Sequence, residues 1–527
     1  MPRPGQPVVG RDRRTGRGAA TAQAIGLLLV AAGASAQPVN VESAAALAVP
    51  RSYGLSTGLT FELDAVDVRG RAVGSGTEVV ARTSPSVTLV NRGGRLQGTL
   101  IYTGTLSARR GIADREENNY QNGLSASYVL EAIEGVGFVD ARASITQQQI
   151  SAIGGPVDTP QAGRDNRTEV RTLSLSPYLR GTLAGVAEFE LRGTTTNTDA
   201  SDQAVSDSEV RAGSFYLRSP RRAAVFGWGL AGSRQRVTFS TAATPNTTDR
   251  LTAELSLQPD IDWRFTVSAG QERTNVVAGV RQDYENYGAS LQWTPSPRTT
   301  VQLQAEERYF GHAWRVLVEH RYMRSTFRLS SSRDVSIGSD TVSAGQAVTL
   351  YEVYFTQFAS LIPDPVQRDQ FVLALIQALG RSRNEVVSGA LFGNGGISAL
   401  RRNDATWTWA GQRLTMSLSA FNVESERVDD GGVAPAARND NTAQSGYAAS
   451  LGWRLTPLTT ISATGSRAMS KDKLSFLGTD QKSVSLGLAT RLGPRTSGVL
   501  GARYSVLNGT VDSSRETALT GSLSLRF

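Results

Sequence analysis

Two histidines and no cysteine limit what this chain of 527 residues can do chemically. His312 and His320 stand eight apart in a stretch of alternating pattern, so a metal site built on them needs carboxylates in support. Disulfide and thiolate chemistry are excluded. Serine is abundant, yet no G-x-S-x-G elbow or comparable nucleophile setting stands out. Gly393-Asn394-Gly395-Gly396 has neither the preceding strand nor the following helix that a phosphate cradle requires, and reads as a flexible loop. The expectation is a chain with no catalytic residue, no metal and no cofactor.

Arginines paired with carboxylates are a better lead. Arg315 and Glu319 fall opposite Trp314, Val316 and Val318, while Arg324 and Arg328 fall opposite Phe327 and Leu329. Two neighbouring strands would therefore present charge on one wall. Glu188, Glu190 and Arg192 alternate with Ala187, Phe189 and Leu191 in the same manner. Charges along the lumen of a barrel tune its selectivity. Planar guanidinium rows suit an acidic polymer; a wall merely zipped by Arg–Glu and Arg–Gln contacts fits the same pattern.

The elements that position these residues have a period of two. Ala289, Leu291 and Trp293 share a face, then Val301, Leu303 and Ala305 after the turn at Pro295-Ser296-Pro297, with Gln292, Gln302, Gln304 and Glu306 opposite. Tyr447 to Leu455, Val484 to Leu492 and Val499 to Val506 repeat this arrangement. Short turns alternate with long polar stretches such as residues 151–166, 197–208, 424–445 and 470–481. That asymmetry is the outer-membrane pattern of short periplasmic turns and long outer loops. The spacing predicts an all-β transmembrane antiparallel up-and-down β-barrel of about 16–22 strands, even in number, with both chain ends in the periplasm. Tyr178, Trp263, Trp293 and Trp453 lie within a few residues of short turns, as an interfacial aromatic belt requires. At the C-terminus Leu519, Gly521, Leu523, Leu525 and Phe527 share one face of a closing strand, and Leu523, Leu525 and Phe527 form the expected assembly signal.

The N-terminus reads as a secretory signal over residues 1–36. Five arginines precede the apolar stretch from Ala19 to Gly33, and Ala34-Ser35-Ala36 forms the cleavage site. Its removal takes the formal charge from +8 to +4, because Asp12 leaves with the arginines. So mild and scattered a charge on an exported chain excludes nucleic acid as its partner. Residues 37–56 read as a periplasmic segment and 57–527 as the barrel. No later run approaches the roughly 18 apolar residues of a spanning helix.

One stretch departs from the strand pattern. Within residues 347–380, Asp364 serves as N-cap, Pro365 stands at N1, and Phe371, Val372, Leu375, Ile376 and Leu379 make one apolar stripe that ends at Gly380. A short helical insertion is predicted, burying that stripe as a plug, a mouth cap or a partner surface. The run Tyr351, Gln357, Ile362-Pro363-Asp364-Pro365, Arg368, Phe371-Val372, followed by Ala390-Leu391-Phe392, Arg401-Arg402 and Leu414 to Ser419, resembles the outer-membrane proteins associated with PEP-CTERM/exosortase systems. Ser176-Pro177-Tyr178-Leu179 and Glu188 to Arg192 are consistent with it. The resemblance implies a non-enzymatic barrel that works with exopolysaccharide or surface-protein export and attachment. Its partners would be outer-membrane lipid, the β-barrel assembly machinery and the export apparatus. A general diffusion porin and a secreted soluble β-rich carbohydrate-binding or adhesive protein are the alternative readings.

Overall fold

A computed structural model describes residues 53–70, 74–111, 117–151, 153, 167–201, 206–220, 225–240, 242, 244–337, 396–428, 441–510 and 513–527. The predicted signal segment, residues 37–52 and the predicted helical insertion at 347–380 lie outside the described residues.

Every described strand joins one sheet. The first arc contains β1 (Tyr53–Gly70), β2 (Gly74–Asn91), β3 (Leu96–Arg110), β4 (Glu117–Ile133), β5 (Gly137–Gln149), β6 (Arg167–Leu183) and β7 (Ala187–Ala200). It continues through β8 (Ser208–Arg218), β9 (Phe226–Phe239), β10 (Asn246–Asp260), β11 (Trp263–Thr274), β12 (Gln282–Ser296), β13 (Thr299–Arg308), β14 (Gly311–Tyr322) and β15 (Ser325–Ile337). The last arc is β16 (Ile397–Ala410), β17 (Leu414–Arg427), β18 (Thr442–Thr456), β19 (Thr459–Asp472), β20 (Gly478–Arg491), β21 (Thr496–Gly509) and β22 (Ser513–Arg526). Each strand pairs antiparallel with its successor, and β22 pairs with β1, so 22 strands close without an edge. The count is the upper end of the predicted range. The first strand starts at Tyr53, four residues before the predicted boundary.

Closure is set by the terminal pattern. Leu519, Leu523 and Leu525 stand opposite Ala65, Phe61 and Leu59, and the Phe527 amide donates to the Thr57 carbonyl at 2.8 Å. Deleting Phe527 removes one of many seam hydrogen bonds, worth about 1 kcal/mol net. We therefore expect a several-fold lower yield of heat-modifiable protein in the outer membrane with almost unchanged stability of what does assemble. An unaltered membrane yield, measured by gel shift of purified outer membranes, would refute the assembly role.

The connections divide by end as predicted. Those on the side of the chain ends run from two to seven residues, whereas the opposite side carries connections as long as residues 150–166, 338–396 and 428–441. In the tight turn between β6 and β7, Ala184 and Gly185 take φ of 48° and 71°, the left-handed conformation that matches strand twist.

The two faces of the wall are chemically opposite. Going up from the short-turn end, β6 presents Leu179, Pro177, Leu175 and Leu173 outward before reaching Arg171, and β11 presents Trp263, Phe265, Val267 and Ala269 before Gln271 and Arg273. On β20 the outward residues are Leu488, Leu486 and Val484, then Lys482. Four alternate positions span about 20 Å of strand from first to last, or ~15 Å of height at ordinary barrel tilt, which lies within the roughly 25 Å apolar band of such barrels. Inward and outward are fixed by curvature: Arg250 on β10 reaches Glu306 on β13 across two intervening strands, which is possible only on the concave side, where side chains converge. An apolar face that is exposed on the outside of one closed sheet, rather than buried between two, rules out the soluble sandwich alternative.

Candidate functional site

The inward wall is mostly polar and organised in charged clusters, interrupted by small buried apolar groups at Val66, Val68 and Ala518 and at Val210, Val237 and Phe239. At the seam, Arg82 on β2 binds both Glu62 and Asp64 on β1, the second at 2.5 Å, while the Thr520 hydroxyl of β22 donates to Asp64 at 2.6 Å. Beside it, Arg109 meets Glu78 at 3.0 Å, and Arg503 pairs with Glu516. These groups tie the first three strands to the last two.

The predicted residues Glu188, Glu190 and Arg192 all face inward. Arg192 donates to Glu190 at 2.8 Å and to Asp140 on β5 at 2.9 Å, and Arg218 on β8 meets Glu188 at 3.0 Å. Tyr178 belongs to this cluster, which corrects its expected place in the interfacial belt. It lies opposite Arg192 in register, with Leu179 on the other face. Its ring stacks on Phe138 at 5.2 Å and lies under the Arg192 guanidinium at 3.9 Å. Proximity to a turn gave its height in the wall, but parity decides the face. By contrast, Trp263, Trp293 and Trp453 are outward at the short-turn end, with Trp263 and Trp293 paired and stacked at 5.0 Å.

On β13 to β16, Arg308 is the hub. It donates to Glu272 on β11 at 2.6 Å and to Asp334 on β15 at 3.2 Å. Glu272 is 1% exposed. Of the predicted charges, Arg315 faces inward with Asp334 3.9 Å away, and Glu319 accepts from Arg321 at 2.8 Å. Arg328 stands opposite Glu319, with its Nε buried and unbonded. Arg324 departs from expectation: it occupies the two-residue turn between β14 and β15 rather than the wall, because β15 begins at Ser325. Arg402 and Asp404 complete the cluster at 2.7 Å. The seam cluster and the Arg308 hub were missed in the sequence. Glu62, Asp64 and Glu272 occupy polar-face parities that were legible, but their partners depend on register.

From β16 to β20 the wall changes character. Thr408, Ser417, Ser450, Thr464 and Ser485 are consecutive cross-strand partners, and Thr406, Ser419, Ala448, Ser466, Ser483 and Ser505 form the next row. Both rows face inward and carry no charge.

The histidines lie at opposite ends of β14 on its outward face, His320 against the Thr299 hydroxyl at 2.8 Å and His312 against Glu307. Among the described residues no group of three or more acidic or histidine side chains has metal-holding geometry.

A closed antiparallel sheet whose last strand pairs with its first, apolar outside and mostly polar within, is a transmembrane β-barrel of the outer-membrane type, and the bacterial outer membrane is its location. No family model matches the chain, and no curated protein does. Among solved structures, the siderophore receptor PirA from Pseudomonas aeruginosa is similar over 90% of this chain and 80% of its own, with a TM-score of 0.44 and 11% identity. Pseudomonas aeruginosa OccK5 (OpdH) gives a TM-score of 0.30 at 9% identity, covering 90% of this chain and 98% of that one. Pseudomonas aeruginosa OpdK, solved with vanillate, gives 0.34 at 9%, covering 90% and 99%. At these values the likeness carries no argument about cargo or binding residues.

Proposed function

We propose that this porin-like barrel is a non-enzymatic conduit for a hydrophilic polymer or surface component, serving exopolysaccharide or surface-protein export and attachment in a PEP-CTERM system. The observation that supports passage is the inward wall, which carries polar and charged side chains in every arc of the barrel and is held in shape by its own ion pairs. Side chains already fixed by neighbours keep a pore wall rigid without closing on one another. The link to that export system rests on the sequence resemblance. Leu523, Leu525 and Phe527 would engage the barrel assembly machinery, the outward apolar band outer-membrane lipid, and the stripe Phe371, Val372, Leu375, Ile376 and Leu379 either the lumen or the export apparatus.

Single-channel conductance in planar bilayers tests the reading, using the full chain and a variant lacking residues 347–380. Discrete conductance that rises at least twofold in the shortened variant is expected if the insertion obstructs the lumen. A general diffusion porin would conduct equally in both. Silence from both folded proteins would refute a conduit.

A further inference from the structure

We infer that the β16–β20 arc is a track for an uncharged polyhydroxylated solute, a neutral saccharide chain, and that the arginine-bearing arc does not recruit an acidic one. This rests on the conduit reading and names its substrate class. The two hydroxyl rows run around five or six strands with no charged side chain between them; at one end the first stops at Arg503 and the second at Glu516, which pair with each other, and at the other end the second meets Arg328. Ser417 and Ser450 hydrogen-bond at 2.5 Å, and Ser466 and Ser483 at 2.8 Å. Each hydroxyl both donates and accepts, so it exchanges hydrogen bonds with a sugar hydroxyl at little cost in desolvation.

One rank above, Phe421 is the sole inward aromatic on this arc among the described residues. Gly446 makes room for it: a Cβ there would come within 2.7 Å of the Phe421 ring, so the ring rests on bare backbone. A flat apolar ring beside rows of hydroxyls is the complement of a pyranose, which has C–H groups on its faces and hydroxyls at its rim.

The opposite arc lacks the converse property. Arg192 is held by Glu190 and Asp140, and Arg308 by Glu272 and Asp334. A polymer carboxylate would have to displace intramolecular carboxylates that are already fixed in place.

The test uses the purified full chain with maltohexaose as the neutral probe and hexagalacturonate as the anionic one. In planar bilayers maltohexaose should interrupt the current with a half-blocking concentration at least tenfold below that of hexagalacturonate. Phe421→Ala, and separately Ser450→Val with Thr464→Val, should raise that concentration at least fivefold while heat-modifiability is unchanged. Equal or stronger block by hexagalacturonate overturns the inference, as does maltohexaose block indifferent to both variants. Current unaffected by either sugar leaves the conduit standing and removes the track. If no current is seen, calorimetry with the same two sugars decides: preferential maltohexaose binding upholds the track while the conduit reading falls, and no such binding ends both.

Discussion

Glu272→Ala should destabilise the barrel by about 3 kcal/mol, the largest effect expected of any single truncation in the wall. Removing one partner of a buried ion pair typically costs about 3–5 kcal/mol, because the surviving charge is left desolvated without compensation. The Glu272 side chain is fully buried, and Arg308 is 15% exposed at the side chain. The lower end of the range applies because Asp334 still holds the other guanidinium nitrogen at 3.2 Å. Glu272→Gln retains a hydrogen-bond acceptor and should cost about half as much. Equilibrium unfolding in urea from lipid vesicles measures both. A double-mutant cycle with Arg308→Met should return a coupling of about 2 kcal/mol or more. A loss below 1 kcal/mol for Glu272→Ala would mean that water in the lumen already screens the pair.

Leu486→Arg and Ser485→Arg should differ sharply although the residues are adjacent. Leu486 points outward in the middle of the apolar band, 56% exposed, with Ala463 and Ala502 as cross-strand partners. An arginine on the lipid face near mid-bilayer costs about 2–4 kcal/mol, because its guanidinium must be dragged to an interface or solvated in hydrocarbon. Ser485 points inward beside Thr464 and Arg503. Arginine there meets water and should cost less than about 1 kcal/mol while changing ion selectivity. Stability in vesicles and reversal potential in a salt gradient give the two readouts. Equal destabilisation by both substitutions would invalidate the assigned facing of β20.

These outcomes bear on what was readable beforehand. The closing strand from Thr517 to Phe527, the hairpins around Pro295 to Pro297 and Pro457, and the asymmetry of connections were legible because strand pleat puts alternate residues on opposite faces and the membrane demands a uniform apolar outside. Glu188, Glu190, Arg192, Arg315, Glu319 and Arg328 were legible as wall charges for the same reason. Tyr178 and Arg324 were not. For Tyr178, Pro177 and Leu179 occupied the apolar parity and left the tyrosine inward, a local register that nearness to a turn does not reveal. For Arg324, the turn between β14 and β15 is only two residues long, and a shift of one position at its end moves a side chain out of the wall.

The amino-acid sequence by itself determined that this chain builds a membrane-crossing barrel, which face meets lipid in the strongly alternating hairpins such as those around Pro295 to Pro297 and Pro457, and which end carries the long loops. Those properties follow from a period of two and from the composition of single segments. The tertiary structure alone decided the closure at 22 strands, the Arg82 and Arg308 clusters, and the alignment of separate serines and threonines into continuous rows. Each depends on register between strands far apart in sequence: Arg250 meets Glu306 56 residues away, and Thr520 meets Asp64 456 residues away. Such pairings are set when the whole sheet twists and closes on itself, and no single strand contains that information.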